Sequence, residues 1–104
     1  MKNIKLEING KEYAKSKITF GDWVAMTDYI ATYGERSVIL DREAGEGAFR
    51  VVAEYLDIPY DEMIENASLD DIMDCFRGLQ DNLREVFFGS AAVKAKAEAK
   101  AQTK

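Results

Sequence analysis

The hydrophobic pattern of this chain changes its period once, and that change limits the folds open to it. From Ile4 to Ile8, apolar and charged residues alternate with the period of two of a half-buried strand. Asn9-Gly10 follows, a pair suited to the two positive-φ positions of a type I′ hairpin turn. After residue 18 the apolar residues recur every three or four positions, as in amphipathic helices. The sequence therefore predicts an α+β fold that opens with a β-hairpin.

The hairpin is expected to precede three main helices and one short helical turn, because residues that typically cap or terminate helices recur along the rest of the chain. The predicted elements are a second strand over residues 11–18, a helix from the Thr19 cap to Gly34, a helix over 48–56, a short turn opened by Pro59, and a helix from the Ser68 cap to Gly89. Residues 35–47 are expected to form a helix or a broken helix, because Gly45 and Gly47 weaken it.

The predicted core follows the apolar faces of these elements. Its members are Leu6, Ile8, Phe20, Val24, Phe49, Val52, Leu56, Ile72, Phe76, Leu79 and Leu83. The chain has 104 residues, which suits a single domain. We expect that domain to span residues 1–89. Residues 90–104 are rich in lysine and alanine without an apolar stripe, which predicts a flexible, basic tail.

The residue types present argue against several classes of function. The chain contains no histidine and only one cysteine, Cys75. The commonest general base and the commonest transition-metal ligand are therefore missing, and neither a catalytic triad nor a tetrahedral zinc site can be built. We expect neither an enzyme nor a bound cofactor or metal, although a carboxylate-based enzyme stays an alternative. The lone cysteine and the lack of a signal-peptide or membrane-spanning apolar run predict a cytosolic protein.

Charge is distributed unevenly along the chain. Residues 21–93 hold five arginines against sixteen acids, whereas residues 1–20 and 94–104 are each net positive. An acidic middle argues against nucleic acid as a partner, because phosphate contacts need a basic face. It also leaves open an acidic inhibitor that mimics nucleic acid. A generic oligomeric structural protein is a further alternative.

The helix after Thr19 is apolar around more of its circumference than a surface helix needs. Either this helix lies at the centre of the fold, or part of it faces a partner. We predict a protein-binding or self-association surface, because aromatic residues and methionine are enriched at such surfaces. Its predicted residues are Trp23, Met26, Tyr29 and Tyr33, with the last helical turn at Phe87 and Phe88 as the next candidate.

The order and spacing of these parts resemble a known family. The chain resembles the tail assembly chaperones of long-tailed bacteriophages and Gram-positive prophages in four features. These are the hairpin of residues 4–13, the Ile-Thr-Phe helix start at 18–20, the middle helix at 49–56 and the Ser-Leu-Asp-Asp-Ile helix start at 68–72. The resemblance covers roughly residues 3–88. It implies a protein that binds the tape measure protein, keeps it soluble, brings tail tube subunits to it and then leaves. It also implies a homo-oligomer.

Overall fold

A computed structural model describes residues 2–34 and 36–88 of the chain. The elements in chain order are β1 (Ile4–Ile8), β2 (Lys11–Lys15), α1 (Phe20–Tyr33), α2 (Arg42–Leu56), α3 (Tyr60–Asn66) and α4 (Leu69–Phe88). The α+β class, with an N-terminal antiparallel hairpin followed by helices, is confirmed. The predicted tail, residues 90–104, lies outside the described residues.

The hairpin turn has the predicted geometry. Asn9 and Gly10 both have positive φ, and Ile8 pairs with Lys11 across the two-residue loop. β2 ends at Lys15, three residues earlier than predicted. The inner face of β1 is buried through Ile4, Leu6 and Ile8, so the alternating pattern correctly identifies the face that packs on the helices.

The start of α1 is fixed by a capping box. The Thr19 side chain accepts a hydrogen bond from the Asp22 amide at 3.2 Å, and the Asp22 carboxylate accepts one from the Thr19 amide at 2.8 Å. This arrangement satisfies backbone donors that the helix itself leaves unpaired. The helix ends at Gly34, which has positive φ. Both boundaries are as predicted from the sequence.

The central helix is α2, which contacts α1, α3, α4 and β2. Of the two forms expected for residues 35–47, a helix or a broken helix, the structure shows a continuous helix from Arg42 through Gly45 and Gly47. A Cβ added at Gly45 would lie 2.7 Å from the carbonyl oxygen of Val38, and one added at Gly47 would lie 2.6 Å from the Tyr33 ring. Glycine is needed here because the preceding turn and α1 approach the backbone of α2 closely.

Two predicted core residues are not in the core. Phe20 is 75% exposed and Val24 is 37% exposed. Both lie on the flank of α1 that faces away from α2, while Met26 and Tyr29 are its buried residues. Phe49 is half-buried against the core, and the other predicted core residues are buried. The alternative that α1 lies at the centre of the fold is therefore wrong.

The N-terminus is anchored to α4 by a buried amide. Asn82 is fully buried, and its side chain accepts from the Lys2 amide at 2.8 Å and donates to the Lys2 carbonyl at 2.7 Å. These two bonds hold the chain just before β1 against the middle of α4. Gly78, one turn earlier on α4, leaves space for the Ile4 side chain. A Cβ added at Gly78 would lie 2.7 Å from the Cδ1 atom of Ile4.

Candidate protein-binding groove

An open apolar groove lies between α1 and the C-terminal half of α4. Trp23 contacts Phe87 near one end, and Tyr29 contacts Phe76 further along, so the two helices run in opposite directions. The groove encloses about 420 Å³. Its lining residues are Trp23, Met26, Thr27, Ile30, Gln80, Leu83, Arg84, Phe87 and Phe88. We call this site the α1/α4 groove.

Aromatic side chains form one end of the α1/α4 groove. The Trp23 ring lies 5.3 Å from the Phe20 ring and 5.7 Å from the Phe87 ring, centroid to centroid. Phe87 is 57% exposed and Phe88 is 68% exposed. The buried stripe of α4 thus continues past Leu83 into residues that the described part of the chain leaves uncovered. On the scale of about 150–250 Å² per aromatic ring, Phe20, Phe87 and Phe88 together expose roughly 400 Å². A patch of that size is comparable to the largest on ordinary monomers.

The structure brings together four of the six residues predicted for a binding surface. Trp23, Phe87 and Phe88 line the groove, and Met26 forms part of its floor because its side chain is buried. Met26 is therefore not an exposed surface residue, although it still lines the groove. Sequence analysis missed Thr27, Ile30, Gln80, Leu83 and Arg84 as lining residues.

Tyr29 and Tyr33, also predicted for the binding surface, do not line the groove. Tyr29 is buried, its ring meets the Phe76 ring edge-on at 5.3 Å, and burial raises the pKa of its phenol. Tyr33 packs over Gly47 and lies 5.4 Å from the Tyr29 ring. Both side chains point toward α2, because the glycine there leaves room for them.

Residues at helical spacing form both walls of the groove. On α1 the lining positions are 23, 26, 27 and 30, and on α4 they are 80, 83, 84, 87 and 88. Each set spans two helical turns. Arg84 is the one ionisable residue among the lining residues, and its guanidinium lies 3.4 Å from Asp81. A third helix with apolar residues at three-four spacing could complete the packing of α1 and α4.

Among residues 2–34 and 36–88, no group of three or more cysteine, aspartate or glutamate side chains is placed to hold a metal ion. No helix in the described part of the chain is long and apolar enough to cross a membrane.

Cys75 is buried between α4 and β1. Its Sγ donates to the Lys5 carbonyl at 3.0 Å, and burial, aided by Asp71 and Asp74, raises the pKa of the thiol to about 11. A thiol nucleophile reacts as the thiolate, which is scarce at such a pKa. Cys75 is therefore a packing residue of the core.

We expect Cys75 to react slowly with a thiol reagent at pH 8 in the native protein, because its thiolate fraction would be on the order of one thousandth. Colorimetric thiol titration should show complete reaction only after unfolding. A Cys75→Ser, Ser16→Cys variant supplies the control, since position 16 is exposed and should react at once. Native Cys75 that reacted as fast as this control would contradict the assignment.

Comparisons with protein-family models, with curated protein sequences and with solved structures gave no match to this chain.

Proposed function

We propose that this chain is a holding chaperone, which binds an apolar helical segment of another protein in the α1/α4 groove. The observation that carries the proposal is the groove itself: two antiparallel helices, lined over two turns by aromatic and aliphatic side chains, with no helix lying across them among the described residues. Laying the apolar face of a helix into such a groove is a recurring mode of recognition.

The groove suggests the form of the bound segment. A helix of two to three turns would place apolar side chains at positions i, i+3 or i+4 and i+7 against the groove. Met26 on the floor is flexible and polarizable, which suits a site that must accept different side chains. The Arg84 guanidinium at the rim can donate hydrogen bonds to a carboxylate or a backbone carbonyl of the partner.

The resemblance of the sequence to tail assembly chaperones suggests which proteins bind in this groove. We propose the tape measure protein, whose long helices would otherwise expose apolar surface, and tail tube subunits as a second partner. A holding role needs accessible apolar surface and enough charge to stay in solution. The exposed aromatic residues and the acidic middle of the chain supply these two properties.

The acidic-mimic alternative has weaker support. A mimic of nucleic acid needs carboxylates that stay available along a continuous face. Several acids on α2 and α4 instead lie beside an arginine of the same chain: Glu46 lies 3.0 Å from Arg42, and Asp74 lies 2.9 Å from Arg77. These pairs reduce the negative potential that a DNA-binding protein would meet.

Co-expression with the tape measure protein tests the proposal. We expect the wild-type chain to raise the soluble amount of tape measure protein and to co-purify with it. Phe87→Asp should abolish both effects, because it places a charge among the aromatic side chains of the groove. Ile64→Asp is the matched control, since this α3 residue is 45% exposed and outside the groove. Equal activity of both variants would contradict the assigned site, and no effect of the wild type would contradict the proposed partner.

A further inference from the structure

The backbone of β2 presents hydrogen-bonding groups along its outer edge. β1 and β2 form a two-stranded antiparallel sheet joined by a two-residue loop. In such a hairpin the pair of residues beside the loop exchanges both hydrogen bonds, and bonded and non-bonded pairs then alternate along the ladder. The residues of β2 that bond to β1 are therefore Lys11, Tyr13 and Lys15. The N–H and C=O groups of Glu12 and Ala14 point away from β1.

The two edges of the hairpin differ in what lies beside them. The outer edge of β1 lies against α4, where the Lys5 carbonyl accepts from the Cys75 thiol at 3.0 Å. On the other edge, Glu12 and Ala14 are exposed to solvent. In the described part of the chain, no backbone group outside the hairpin bonds to either of these two residues. The outer edge of β2 is therefore open to a further strand. We call it the β2 edge.

The uncompensated charge along the β2 edge is positive. Lys11 and Lys15 each place the ammonium group over a tyrosine ring, at 4.8 Å and 4.7 Å from the ring centroid. Lys15 also donates to the Tyr55 carbonyl at 3.3 Å. Among the described residues, neither ammonium group pairs with a carboxylate. The one acid of β2, Glu12, instead lies 3.8 Å from the ammonium group of Lys5. Both lysines are therefore available to an acidic partner.

The same lysines disfavour a second copy of the chain at the β2 edge. If two copies paired antiparallel, with Glu12 of one bonded to Ala14 of the other, Lys11 of each copy would lie opposite Lys15 of the other. Like charges directly opposite each other destabilise a strand pair, and lysines along an edge prevent such pairing in many sheets. Residues 94–104 of the chain, with four lysines against one glutamate, have the same sign of charge. A strand of opposite charge has to come from another protein.

We propose that the β2 edge binds an extended, acidic segment of another protein, which joins the sheet as a third, antiparallel strand. The backbone groups of Glu12 and Ala14 bond to that strand. Its acidic side chains lie opposite Lys11 and Lys15, and an apolar side chain between them lies beside Tyr13, which packs against the core. Addition of a strand to an exposed sheet edge is a recurring mode of peptide recognition. The site is separate from the α1/α4 groove and does not rest on the proposed function.

Amide NMR spectra of the full chain, titrated with a capped peptide that has Glu-Thr-Val-Thr-Glu at its centre, test the proposal. We expect saturable shifts of the Glu12 and Ala14 amide signals, with a dissociation constant between about 0.1 and 1 mM. A peptide with lysine in place of both glutamates should bind at least about tenfold more weakly. The Phe87→Asp variant should bind the acidic peptide as the wild type does, which separates this site from the proposed function. No saturable shift with the acidic peptide, or equal binding of the two peptides, would overturn the proposal.

Methylated peptides test whether the backbone makes the contact. In the antiparallel arrangement both threonine N–H groups of the peptide face β2, whereas the valine N–H points to solvent. Methylation of both threonine nitrogens should therefore abolish binding, and methylation of the valine nitrogen should preserve it. Ala14→Pro should also weaken binding at least about tenfold, because it removes an outward N–H without removing a bond to β1. Binding that survives methylation of the threonine nitrogens would overturn the addition of a strand, whether or not Ala14→Pro folds.

Discussion

Phe76→Ala is expected to lower the free energy of unfolding by about 3–5 kcal/mol, as found for large-to-small changes at fully buried aromatic sites. Phe76 is 4% exposed on α4, and its ring packs edge-on against Tyr29 of α1. Removing the ring leaves a cavity at the junction of the two helices, because the surrounding backbone can close it only partly. A loss of this size is a large share of the total stability of a small domain. Urea unfolding followed by circular dichroism measures it.

Phe88→Ala provides the matched control for this substitution. The same atoms are removed from the same helix, but Phe88 is 68% exposed, so we expect a change below about 0.5 kcal/mol. Similar losses in the two variants would contradict the described packing of α4. A loss below about 1 kcal/mol for Phe76→Ala would show that Phe76 does not lie in the core.

Asn82→Asp is expected to destabilise the protein by about 3–5 kcal/mol at pH 7, because it places an uncompensated charge at a fully buried position. The Lys2 carbonyl, now 2.7 Å from the Asn82 amide nitrogen, would face a carboxylate oxygen instead of a donor. Burial should raise the pKa of the new carboxyl in the folded state above its unfolded value of about 3.9.

The pH dependence of this variant identifies the cause. Below about pH 4 the new carboxyl is protonated in both the folded and the unfolded state, and it can donate to the Lys2 carbonyl as the amide does. The stability difference from wild type should therefore be small at low pH and should grow as the pH rises toward 7. Chemical unfolding at several pH values measures the difference. A loss that did not vary with pH would mean that lost packing, and not buried charge, is responsible.

The neighbouring substitution Asp81→Asn is the control. Asp81 lies 2.9 Å from the Lys2 ammonium group, but both side chains are substantially exposed to solvent. Exposed ion pairs contribute about 1 kcal/mol or less. We therefore expect Asp81→Asn to unfold within about 1 kcal/mol of wild type. This comparison separates the buried anchor of the N-terminus from the ion pair beside it.

The elements that sequence analysis predicted correctly depend on local signals. The type I′ turn needs only two residues that tolerate positive φ, and the α1 cap needs only Thr19 and a carboxylate three positions later. The buried faces of β1 and α4 follow from a strict period, because polar residues separate the apolar ones. Such signals are complete within a few residues and do not depend on distant parts of the chain.

The errors arise where a tertiary neighbour decides the outcome. Gly45 and Gly47 lower helix propensity, but Val38 and Tyr33 occupy the space that a larger side chain would need. Packing therefore overrides propensity in α2, and its two glycines lie inside a continuous central helix. No sequence pattern of α2 alone reveals that two other segments approach its backbone.

The face of α1 that is buried could not be read from its sequence for a similar reason. Apolar residues surround most of this helix, so its period does not select one stripe. The position of α2 makes Tyr29 core and leaves Phe20 exposed. For the same reason, sequence analysis identified only some residues of the groove. Aromatic character indicated Trp23 and Phe87, whereas Ile30 and Arg84 line the groove because α1 and α4 pack antiparallel.

Fluorescence of Trp23 tests the central claim most directly, because it is the single tryptophan of the chain and lines the α1/α4 groove. A tryptophan-free helical segment of the tape measure protein should shift the Trp23 emission to shorter wavelength, saturably, as the indole loses contact with water. Phe87→Asp should remove the shift, and Ile64→Asp should retain it. If calorimetry shows that the segment binds while the emission of Trp23 stays unchanged, the partner binds elsewhere and the α1/α4 groove is not the binding site.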